Sequence, residues 1–87
     1  YENDFTQFSF ALDLCEILYK HHSDDDMVNY IYADLLKVDQ QLERSVFHYK
    51  NVVRINPNQK DAWQELLFSL LLKIFPIFSF ANDKDIF

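Results

Sequence analysis

Apolar residues recur along this chain at the spacing of helical faces. Phe8, Ala11, Leu12, Cys15, Leu18 and Tyr19 follow the i, i+3, i+4, i+7 rule that places side chains on one side of a helix. Val28, Tyr32, Leu35 and Leu36 draw a second stripe. Leu42, Ser45, Val46, Tyr49, Val52 and Val53 draw a third, with Ser45 where the first has Ala11, and Ala62, Trp63, Leu66 and Leu70 draw a fourth. Four helices of about three to four turns each are expected.

Short polar residues mark the ends, because their side chains accept hydrogen bonds from the free amides of a first helical turn. Ser23 followed by Asp26 reads as a capping box with a shortened acid, opening a helix near Asp24 and placing negative charge at its positive end. Pro57 biases Asn56 out of the α region and closes the preceding helix near Ile55. Asn58 with Asp61 then opens the next. The join at Asp39, Gln40 and Gln41 carries a weaker signal, and periodicity alone would allow a continuous helix through it.

An internal repeat argues for the break. A shift of 34 residues brings Phe8 onto Leu42, Ala11 onto Ser45, Leu12 onto Val46, Leu18 onto Val52 and Lys20 onto Arg54. The same offset brings Asp24 onto Asn58, Asn29 onto Trp63, Tyr32 onto Leu66 and Leu36 onto Leu70. Size and polarity match over about 60 residues, on both sides of each turn, which is the signature of stacked helix–turn–helix units.

In this register the chain resembles the tetratricopeptide repeat family. From Asp26 to Gln59, Tyr32 and Ala33 take the large-small pair of the first helix and Leu36 its bulky site. Ser45 takes the small site of the second helix, Tyr49 the aromatic site, Val52 the small apolar site, and Pro57 of INPN the terminating proline. Trp63 and Leu66 fall on the tryptophan and leucine places of a following unit. The resemblance implies an all-α chain of antiparallel helix–turn–helix pairs stacked as a short right-handed α-solenoid. Its parts would be a closing helix over 5–22, a full repeat over 24–57, an opening helix over 59–75 and a degenerate or partial tail over 76–87. Ala33 and Ser45 would let two backbones approach closely, and Tyr49 would fill the space between units. Leu67 departs from the pattern: it takes a small-residue place and should push its closing helix outward or abolish it. After Lys73, IFPIFSFANDKDIF does not reproduce a closing helix, with Pro76 near where one should start and Asn82 and Asp83 as later caps.

Composition narrows the function. Fourteen acidic against eight basic residues give a formal charge of −6, the wrong sign for a phosphate backbone, so no nucleic-acid partner is expected. The chain has no glycine, which disfavours the tight hairpins of a β-meander or barrel. Cys15 is the lone cysteine, too few for an intrachain disulfide or a thiolate zinc site. Leu66–Ala81 is apolar-rich but short of the roughly 20 residues that span a bilayer, and it is broken by Lys73 and Pro76. The start, YENDF, has neither an initiator Met nor the regions of a signal peptide, and reads as an excised piece of a longer chain. The single cysteine fits a cytosolic setting weakly.

Glycine-rich phosphate loops, nucleophile elbows and acid pairs at hydrolytic spacing are all missing, so the chain reads as a non-enzyme that needs no cofactor. His21, His22, Asp24, Asp25 and Asp26 carry metal-ligand chemistry, but adjacent histidines in a turn diverge, and a solvated turn that caps the next helix is the expectation. Cys15 reads as a buried, inert thiol, and His48, off the apolar stripe, as a surface histidine. By the resemblance, the groove-facing residues are Met27, Tyr30, Ile31 and Asp34 of one unit and Asp61, Gln64, Glu65 and Phe68 of the next. Acids and aromatics there imply a protein partner offering a basic or apolar segment rather than an acidic C-terminal peptide. The alternative is a structural or capping segment of a larger assembly or oligomer, with Phe68, Ile74, Phe75, Phe78 and Phe80 packed on a neighbouring chain.

Overall fold

Polar turns and one proline divide the chain into helices. The computed structural model describes residues 2–75, with side-chain surroundings from Phe5 onward. The helices are α1 (Glu2–His21), α2 (Asp26–Val38), α3 (Leu42–Ile55) and α4 (Lys60–Ile74), and no strand occurs among the described residues. Each packs on the next in sequence. The proposed tail 76–87, with Pro76, Phe78, Phe80 and the caps Asn82 and Asp83, lies outside the described residues.

The turns differ from expectation in detail. Asp25, rather than Ser23, caps α2: its side chain accepts from the Val28 amide at 3.1 Å. Ser23 contributes its backbone carbonyl to Asn29 instead. Asn58 caps nothing; its amide donates to the Asn56 side chain, Gln59 stands at the N-cap of α4 without a side-chain bond, and the Trp63 indole donates to the Pro57 carbonyl at 2.8 Å. The α1–α2 and α3–α4 joints share one geometry. Asp25 donates to the His22 carbonyl and Gln59 to the Asn56 carbonyl, at positions 34 residues apart.

The break at Asp39–Gln41 has its own mechanism. Gln40 adopts φ 65°, its amide bonds the Lys37 carbonyl, and the Gln41 amide reaches back to the Leu36 carbonyl. This is the paired-bond helix end usually built on glycine. A glutamine in that conformation costs about 1–2 kcal/mol, offset here by two satisfied carbonyls. The reversal makes α2 and α3 antiparallel: Asn56 of α3 bonds Asp26 at one end, and the Ser45 hydroxyl donates to the Ala33 carbonyl at 2.8 Å further along. Both Ala33 and Ser45 are fully buried. Two small residues facing each other bring the backbones close enough for that bond.

Two apolar clusters result. The larger joins α2, α3 and α4 through Ala33, Val46, Tyr49, Val52, Val53, Ala62 and Leu66. The smaller joins α1 to α2 through Cys15, Tyr32 and Leu36. Cys15 is buried and its thiol is pushed up by desolvation, the inert state expected of it.

His48 overturns the surface expectation, for it is only 4% exposed. Its ring packs against Tyr19 of α1, Tyr32 of α2 and Phe47 of its own helix, at centroid distances of 4.7, 4.5 and 5.0 Å. The Asn29 amide fixes its orientation. Asn29 donates to the Ser23 and Asp25 carbonyls, so its oxygen is left to accept from His48 Nδ1 at 2.9 Å and from Asn51 at 3.1 Å. Every hydrogen-bonding group of this buried amide is used. The bond requires a proton on Nδ1, and burial with Arg44 nearby pushes the ring pKa down to about 4.

Candidate protein-docking groove

The eight groove residues occupy successive turns of two helices, at Met27, Tyr30, Ile31 and Asp34 on α2 and at Asp61, Gln64, Glu65 and Phe68 on α4. Their pairings show that these helices run parallel. The Tyr30 hydroxyl feels the charge of Asp61 and Glu65, while Lys37, two turns later on α2, pairs with Glu65 and lies 5.5 Å from the Phe68 ring centroid. Behind them, Tyr49 of α3 is completely buried, its ring edge-on to Tyr30 at 6.0 Å and its hydroxyl donating to Asp34.

Exposure varies among the eight. Met27, Ile31, Asp61, Gln64 and Phe68 are exposed, whereas Tyr30, Asp34 and Glu65 are half-buried. Half-burial reflects structural duties, since Asp34 receives the Tyr49 hydroxyl and Glu65 ties α4 to α2 through Lys37. Asp61 has no such duty and keeps its charge available. The Tyr30 hydroxyl is pushed up by burial first and then by Asp34, Asp61 and Glu65. Tyr49 is pushed up likewise, by burial and by its bond to Asp34. Three carboxylates thus act on the Tyr30 hydroxyl, and one of them, Glu65, pairs with the Lys37 ammonium, leaving negative charge beside aromatic and aliphatic surface.

No family model, curated protein or solved structure matches this chain.

Lys37 shares a face with these candidates, and periodicity passed over it. It continues the Tyr30–Asp34 row by one more turn, a position at which a lysine ordinarily reads as a solvated helix end. Its ammonium also lies 5.8 Å from the Tyr49 centroid, so two rings and a carboxylate surround it. Of the assembly candidates, Ile74 and Phe75 are exposed, and Phe78 and Phe80 lie outside the described residues. The polar run at the α1–α2 joint serves the fold: Asp25 caps α2, and Asp26 accepts from Asn56. Among the described residues, no group of three or more His, Cys, Asp or Glu side chains is arranged to hold a metal ion, and no helix is long and apolar enough to cross a membrane.

Proposed function

We propose that this chain is a protein-interaction segment of tetratricopeptide type, a short right-handed solenoid whose α2–α4 groove holds a basic, partly apolar segment of a partner protein. The observation that carries this reading is the parallel run of α2 and α4, with Asp34, Asp61 and Glu65 clustered around Tyr30. The repeated turn at 22–25 and 56–59 and the Ala33–Ser45 approach support the repeat register. A cationic side chain over Tyr30 would gain from ring and carboxylates together, while Ile31 and Phe68 offer apolar contact on either wall.

Calorimetry with two synthetic peptides tests the reading, one alternating lysine and leucine, the other ending in acidic residues. The basic peptide should bind with affinity that falls as salt rises, and Asp61→Lys should weaken it at least about tenfold. Tight binding of the acidic peptide, or no binding of the basic one, would overturn the assignment. A second reading, packing within a larger assembly, is favoured by the exposed Trp63, Leu67, Ile74 and Phe75 on α4.

A further inference from the structure

The helices at the two ends of the described structure each have an apolar side left uncovered. On α1, Phe10 is 62% and Ile17 55% exposed, with Leu14 between them; on α4, Leu67 is 60% and Trp63 48% exposed. The α2–α3 pair shows what would cover them. Moving α3 back and α2 forward by 34 residues, the offset of the repeated turn, places α1 and α4 in the roles of α3 and α2.

The exchange turns the polar contacts in the middle of the α2–α3 pair into apolar ones, while Asn56 against Asp26 at the pair's end becomes His22 against Lys60. Asn29 against His48 and Asn51 becomes Trp63 against Leu14 and Ile17. Tyr32 against Arg44 becomes Leu66 against Phe10, where Leu66 is already buried in its own chain and Phe10 covers only its rim. Ala33 against Ser45 becomes Leu67 against Ala11, so the bulky residue at a small-residue place meets a small one.

We propose that the two ends are complementary: α4 of one copy docks on α1 of a second, forming a helix pair like that of α2 and α3. The occupant of each open side is therefore another copy of this chain, and copies add head to tail. The inference rests on the 34-residue register but not on peptide binding in the groove. Specific interfaces bury at least on the order of 1,000 Å². Trp63 and Phe10, each able to bury about 150–250 Å² in full, form the centre of such a patch with three aliphatic neighbours. Because the contact joins unlike surfaces, it does not close on itself at two copies.

Sedimentation velocity of the full chain, from about 10 µM to about 1 mM, reads the outcome through mass action. The average mass should climb with concentration beyond a dimer. Leu67→Glu blocks one end and Leu14→Glu the other; both residues are exposed, so helix content by circular dichroism should hold while association weakens at least about tenfold. An equimolar mixture of the two variants retains one intact end on each and should form a dimer that grows no further. A chain that stays monomeric throughout overturns the proposal. So does association that neither substitution weakens. Association of the unaltered chain with no dimer in the mixture would overturn the pairing and its register, and so would a dimer formed by either variant alone as strongly as in the mixture, which would mean that like faces meet; both outcomes leave the groove reading standing.

Discussion

The two apolar clusters hold their helices by different chemistry. The α2–α3–α4 cluster is made of seven buried side chains, Tyr49 among them, all apolar or aromatic. The α1–α2 cluster has three buried members, and beside it His48 is buried with Asn29 and Asn51 in hydrogen bonds. Burial of apolar area is strong and undirected. Satisfied buried amides add little net stability but punish any misplacement. The larger cluster therefore supplies most of the cohesion, and the smaller one fixes where α1 sits.

Tyr49→Ala gives the largest expected effect. Removing a fully buried ring costs about 3–5 kcal/mol and strands the Asp34 carboxylate that it bonded. That is a large share of the roughly 4–13 kcal/mol expected of a chain this size. Urea denaturation should find the variant's midpoint lowered several times further than that of Cys15→Ala in the smaller cluster, which loses about 1 kcal/mol. Equal losses at the two positions would break the contrast between the clusters.

The larger cluster was legible in the sequence because it follows helical period: Val46, Tyr49, Val52, Val53, Ala62 and Leu66 all lie on counted stripes. Pro57 marked the end of α3 because proline acts on its own backbone and the residue before it. The polar seam was hidden. His48 and Asn29 stand nineteen positions apart, and the hydrogen bonds that make burial tolerable come from folding rather than from spacing. Gln40 was equally silent, since its left-handed backbone is normally announced by glycine. Register places the groove candidates on two helices, but the pairing of Lys37 with Glu65 across those helices arises only on folding.

Acid separates the clusters next. In the fold His48 titrates near 4 rather than 6.5. As pH falls through about 6.5, the unfolded chain takes up a proton that the folded ring refuses, so stability is present above that value and is lost downward until about 4. The loss attributable to this ring is about 2 kcal/mol by pH 5, and roughly 3 kcal/mol at most. His48→Gln keeps a donor for Asn29 but cannot titrate. Urea midpoints between pH 7 and pH 4 should therefore fall less steeply for the variant. Superimposable slopes would mean that the ring does not carry the acid sensitivity of the smaller cluster.

The smallest effect concerns two serines that flank the larger cluster. Ser45 and Ser69 are both fully buried, yet Ser45 donates to the Ala33 carbonyl, whereas the Ser69 hydroxyl has no hydrogen-bond partner. Burying a hydroxyl without a partner costs about 1–3 kcal/mol, and alanine also suits the middle of a helix better. Ser69→Ala should therefore stabilise the chain by about 1 kcal/mol, and Ser45→Ala should destabilise it by a similar amount. For a domain of this size each kcal/mol moves the melting temperature by roughly 4–8 °C, so thermal denaturation should shift the two variants in opposite directions. Destabilisation by Ser69→Ala would reveal a bond made in solution, and would show that the larger cluster is held by polar contacts as the smaller one is.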